Sequence, residues 1–222
     1  MPKYQYISLI VLLLMGSFAL SGCLNRTTPA EEMFETLERV VQIEQNFVEQ
    51  QAPLLELEKQ EKDIYEKIIE LNMQDYDEVV RLADQAIVIT EKRKEHIERE
   101  HESMQESREA FNKVNAIIEK LEDKGLQKQA EELYDLMQQR YVIHDKLYKH
   151  YSEGLESDKE LYNLFKKEDL TIEKLGEQIN KVNESYEKVL DANQEFNDVT
   201  DKYNQKKLDF YKAADLNVQV NE

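Results

Sequence analysis

Few side chains in this sequence could do chemistry, and their spacing decides which. Cys23 is the one cysteine in 222 residues, so no intramolecular disulfide can form. Glu98 and His101 have the Glu-x-x-His spacing that places a carboxylate and an imidazole on one helix face, as di-iron bundles require. Such a site needs a second copy of the motif. Tyr141 stands three residues before His144 and Leu147 three before His150, so there is none. The stretch Lys94–Ser103, KEHIEREHES, therefore reads as a solvated charged segment, and no metal is expected. His144 falls on the apolar side of its own segment, as a hydrogen-bonded core or edge histidine would. Tyr134, Tyr141 and Tyr148 recur every seven residues. They are either packing residues with their hydroxyls at the rim or an exposed aromatic strip on which a glycan or peptide could stack. There is no nucleophile elbow, and Gly125, Gly154 and Gly176 are too scattered to build a phosphate-cradling loop. The many carboxylates suit a solvated acidic face. Neither catalytic residues nor a cofactor is expected.

The thiol at Cys23 gains meaning from what precedes it. Lys3 and the amino terminus give a small positive region, and Ile7–Leu20 is an apolar run of 14 residues. That is short of the about 20 residues a membrane span needs and fits the core of a signal peptide. Leu20, Ser21, Gly22 and Cys23 then resemble the bacterial lipobox, in which the cysteine is joined to lipid by a thioether and becomes the first residue after cleavage. Residues 1–22 are thus expected to leave as a lipoprotein signal peptide, with S-diacylglycerol and N-acyl attachment at Cys23. A diacylglyceryl cysteine carries the two chains that stable anchoring takes, at about 0.8 kcal/mol per buried methylene.

Removing those 22 residues would leave 28 basic side chains against 47 acidic ones. This balance excludes nucleic acid as a partner and disfavours lying flat on anionic lipid. It also opposes bulk attraction to anionic wall polymers. Beyond Cys23 the only prolines are Pro29 and Pro53. With so few turn-forming residues and so much Glu, Lys, Gln and Leu, the composition is that of long helices.

Apolar periodicity divides the chain into a polar tether over 23–30 and one helical domain over 31–222, with helices at about 31–71, 76–123, 126–167 and 172–214. Pro53 predicts a kink or split near Gln51 in the first. In the second, Thr90, Ile97, Met104, Phe111 and Ile118 recur every seven residues, with Arg93, Glu100 and Ser107 interleaved. That helix must be loosely buried in its middle, or its charges must pair across the seam. Gly125 is placed to end it as a left-handed C′ residue. Asp169 or Thr171 caps the fourth helix. There Ile172, Leu175, Ile179, Val182, Tyr186, Val189, Asn193, Phe196, Thr200, Tyr203, Lys207 and Phe210 step by three and four along a heptad seam. Short breaks make consecutive helices antiparallel. The expected fold is all-α: an elongated antiparallel up-and-down four-helix bundle with coiled-coil-like packing.

With the lipobox and this acidic, tyrosine-containing helical body, the chain resembles the YkyA-type cell-wall-binding lipoproteins of Bacillus and its Gram-positive relatives. The resemblance covers essentially the whole chain and implies a four-helical bundle on the outer face of the cytoplasmic membrane, facing the wall. It brings no catalytic residues. The expected role is a non-enzymatic lipoprotein held to the membrane through Cys23 that binds peptidoglycan, another wall polymer or an envelope protein. The acidity favours a protein partner, or contact through a locally basic area such as Arg140, Lys146 and Lys149. The alternatives are an accessory factor or regulator of a peptidoglycan-modifying enzyme, and a structural coiled-coil spacer.

Overall fold

The computed structural model describes residues 27–71 and 75–216. Cys23 and the lipobox residues Leu20, Ser21 and Gly22 lie outside them. The described residues form six helices: α1 (Pro29–Ile43), α2 (Gln45–Glu70), α3 (Tyr76–Phe111), α4 (Val114–Ile118), α5 (Lys124–Phe165) and α6 (Ile172–Ala213). No strand occurs among them, and the fold is an all-α helical bundle.

Local chemistry sets where the helices start and stop. Thr28 and Glu31 form a capping box around Pro29 at the first helical position. The Thr28 hydroxyl accepts from the Glu31 amide at 3.2 Å, and the Glu31 carboxylate accepts from the Thr28 amide at 2.7 Å. The tether thus ends two residues earlier than hydrophobic periodicity alone suggests. The split expected near Gln51 does not occur. Pro53 sits inside α2, and the chain breaks at Glu44 instead. Glu44 turns its carboxylate to Arg140 at 2.7 Å and to Ser107 at 2.6 Å, so a part-buried ion pair, not a proline, marks this break. Gly125 does not end a helix in the left-handed region either, because no described glycine has positive φ. It lies in the first turn of α5, where Asp123 Oδ1 accepts from the amides of Gly125 (2.7 Å) and Leu126 (2.9 Å). Thr171 caps α6 by accepting from the Lys174 amide at 3.3 Å.

Two compact units arise from discontinuous stretches of chain. Unit 1 comprises 46–102 and 144–194; unit 2 comprises the described residues up to Gln45, Ser103–Ile143, and Glu195 onward. Four helical stretches pack in unit 1, from α2, α3, α5 and α6. Neighbours run antiparallel, since Asp84 meets Lys166, Glu91 meets Lys159 and Lys94 meets Glu156. Its core has one cluster around Tyr65, Ile68, Ala83, Tyr162 and Val182 and another around Leu54, Ile97, Leu147, Leu155 and Val189. Unit 2 buries Met33, Phe34 and Leu37 of α1, Met104 and Phe111 of α3, Leu133 and Met137 of α5, and Phe196 and Phe210 of α6.

The seam positions Thr90, Ile97, Met104, Phe111 and Ile118 are all buried, as the seven-residue recurrence demands. Most of the α6 seam is buried as well. Ile172 is the departure: it is 90% exposed, so the heptad pattern begins one turn before the packing does.

Candidate functional site

Arg93, Glu100 and Ser107 occupy the polar turns of the α3 seam, and all three are buried. The helix is not loosely packed there; the Arg93 charge pairs across the seam. In unit 1 the Arg93 guanidinium donates to Glu61 Oε2 of α2 at 2.6 Å and to Asp158 Oδ2 of α5 at 3.3 Å. It also donates to the hydroxyls of Tyr151 and Tyr186, each at 2.8 Å. Tyr151 donates in turn to Glu58 at 2.6 Å, and Tyr186 to Asp158. One cation therefore ties together side chains from α2, α5 and α6. Burial opposes the Arg93 charge, but the surrounding tyrosine hydroxyls, Glu61 and Glu58 outweigh it and keep the side chain protonated. Burial, then the neighbouring Glu61, pushes the Asp158 carboxyl up to about 8, against the pull of Arg93. Burial, with Glu58 nearby, also holds the Glu100 carboxyl well above the carboxylate range.

Acid–base groups are thus present in unit 1, but they face one another. The cavity beside them, lined by Glu58, Glu100, Tyr151, Asn193 and apolar neighbours, has a volume of about 30 Å³. A water needs about 10–15 Å³, so this space suits one or two waters, not a substrate.

Unit 2 holds a parallel arrangement around Arg140. Its guanidinium donates to Glu44 at 2.7 Å and to Thr200 Oγ1 at 3.0 Å, and stacks 4.8 Å from the centre of the Phe196 ring. Arg140 is buried, which removes it from the basic surface area expected with Lys146 and Lys149; the carboxylate of Glu44 draws it inward. Lys207 is buried too, its amine lowered by burial against the opposing pull of Glu38, which lies 3.7 Å away.

The three heptad-spaced tyrosines divide by environment. Tyr141 is buried, and its hydroxyl shares a 2.7 Å hydrogen bond with Ser107. Tyr134 is half-buried and stacks on Phe111 at 5.5 Å; Tyr148 is half-buried and stacks on His101 at 4.0 Å. Tyr148 alone borders an open groove of about 730 Å³ between α3 and α5. That groove is lined also by Lys94, Glu98, Lys149, Ser152, Glu153, Glu156 and Ser157. Lys94 lies 3.7 Å from Glu156 and Lys149 3.9 Å from Glu153, so most of the charge there is internally compensated.

His101 does not work with Glu98. It lies against α5, where its ring is 5.8 Å from that of His144 and nearly parallel to it, and where Asp145 approaches its Nδ1 at 3.9 Å. His144 is buried with the Phe47 ring edge-on at 5.6 Å, the core position its apolar side implies. Burial lowers the His101 imidazole below its usual range, against Asp145 and Glu102. Sequence reasoning missed this grouping, because the register of α3 against α5 is not written in either helix alone.

A family model described as "Putative cell-wall binding lipoprotein" matches residues 28–213. A Bacillus subtilis (strain 168) protein named "Uncharacterized lipoprotein YkyA" is 37% identical over 200 residues, which cover 90% of this chain and 89% of that protein. The crystal structure of a conserved Staphylococcus aureus protein of unknown function superimposes with a TM-score of 0.72. It covers 84% of this chain and 97% of its own at 18% identity, a likeness of fold alone.

Proposed function

Because the chain belongs to the YkyA family of lipoproteins, we propose that it is a non-enzymatic binding protein of the cell envelope, held to the outer face of the membrane by lipid on Cys23. The observation that carries this reading is where its chemistry lies. The titratable groups that could serve catalysis are buried around Arg93, beside a cavity of water size, whereas the α3–α5 groove is open and charge-compensated. An open groove with an aromatic border and paired charges fits a glycan or a peptide better than it fits a reaction.

The ligand in this reading is a wall glycan, met at the groove around Tyr148. Close contact in a charge-compensated groove avoids the repulsion that a net charge of −18 creates against anionic polymer as a whole. The same charge favours a second reading, an envelope protein as partner, which makes the molecule an accessory or regulatory factor.

Photo-crosslinkers at Ser152 and Lys149 of the lipidated protein in cells, followed by mass spectrometry, test the choice. Adducts of wall glycan that disappear in Cys23→Ala support the first reading. Adducts of a single protein move the chain to the second. Adducts equal to those from a crosslinker at exposed Val142 would count against the groove altogether.

A further inference from the structure

We propose that His101, His144 and Asp145 form a binding site for a divalent transition-metal cation of the Zn²⁺ type. The site would join α3 to α5 within unit 1, and it is independent of the wall-binding reading. One donor atom from each residue falls within a set whose members all lie within 4.8 Å of one another. The two ring centres are 5.8 Å apart with the planes 8° from parallel. An ion bonded to two imidazole nitrogens at about 2.0–2.1 Å sits about 3.2 Å from each ring centre, so tetrahedral to linear arrangements span roughly 5–6.4 Å. The observed spacing falls inside that range. Asp145 has to close in from 3.9 Å, and its side chain, 40% exposed, lies at the solvent edge.

The rings are also restrained by their neighbours. Tyr148 stacks on His101 at 4.0 Å with the planes 6° apart, and Phe47 meets His144 edge-on. The packing therefore fixes ligand orientation in advance. His101 Nδ1 is buried with no hydrogen-bond partner, a condition native interiors avoid and a bound ion would relieve. Two imidazoles and one carboxylate suit borderline ions such as Zn²⁺, Ni²⁺ or Co²⁺, whereas Ca²⁺ and Mg²⁺ favour all-oxygen shells. Asp145 marks the entry side, and a fourth coordination position there would face solvent.

The test is calorimetric titration of the full chain, chelator-stripped and in detergent, with ZnCl₂, with CoCl₂ absorption spectra as an independent readout. The expected result is one equivalent of Zn²⁺ bound at micromolar concentrations, unaffected by excess Ca²⁺. His101→Asn and Asp145→Asn should each weaken it by at least about 10-fold, since even outer-shell partners of metal ligands are worth about 10–100-fold. Asp145→Asn changes only a solvent-edge side chain and keeps the test valid if His101→Asn disturbs packing. Several weak equivalents indifferent to both substitutions would overturn the proposal as nonspecific binding to surface carboxylates. So would equal competition by Ca²⁺, or the absence of binding at tens of micromolar Zn²⁺.

Discussion

At the scale of single residues, Arg93 and Asp158 set the behaviour of unit 1. Removing Arg93 leaves Glu61 and Asp158 buried with no cation between them. Breaking a buried pair in this way costs about 3–5 kcal/mol, so Arg93→Met should lower the urea midpoint sharply, and adding Glu61→Gln should recover part of the loss. Asp158 carries a pH signature. Its folded pKa of about 8 lies above the ordinary value of 3.8. From about pH 4 to 8 the fold holds a proton that the unfolded chain has released, so this group's contribution is greatest at acid pH and falls as pH rises. Glu100, also raised, adds to the same slope. Asp158→Asn keeps an acceptor for Arg93 and Tyr186 without the ionisation. Its melting temperature should fall less between pH 5 and pH 8 than that of the parent; an unchanged slope would assign the effect elsewhere.

Helices obey a different logic, and glycine shows it. A Cβ on Gly176 would meet nothing within 4 Å, whereas one on Gly154 would come within 3.3 Å of the Tyr186 ring, whose hydroxyl serves Arg93. Gly176→Ala should therefore stabilise by about 0.5–1 kcal/mol through helix propensity. Gly154→Ala should show no such gain, because it displaces Tyr186; thermal denaturation of both variants tests the contrast. The helical seams were legible in the sequence because apolar side chains repeat at a period that the backbone itself imposes. Capping at Thr171 was legible for the same local reason. The break at Glu44 and the role of Asp123 before Gly125 were not, since a distant arginine marks the first and a side-chain cap replaced the expected glycine turn in the second. Pairing of Arg93 could be foreseen as a need, but not its partners. Nor could the meeting of His101 with His144, which depends on how far one helix has slid along another.

For the whole molecule, charge and attachment matter most. None of the described helices is long and apolar enough to cross a membrane. Membrane retention under the proposed function thus rests on Cys23. Cys23→Ala should move the protein from the membrane fraction to the soluble fraction on cell fractionation, with the helical content of the body unchanged by circular dichroism. Retention of the variant in membranes would show that another contact holds it there.

The discontinuous make-up of the two units has a consequence for the order in which they can be completed. A chain emerging amino terminus first has all of unit 1 available once Gln194 has appeared. Unit 2 contains the first described residues and also the last helical turns, and Glu38 meets Tyr211 across a separation of 173 residues. Its earliest segment, which also packs against α4, therefore meets its last partner in α6 only when nearly all of the described chain has been delivered. Unit 2 is therefore the last to be completed, and α1 is the segment that waits longest for its final partner.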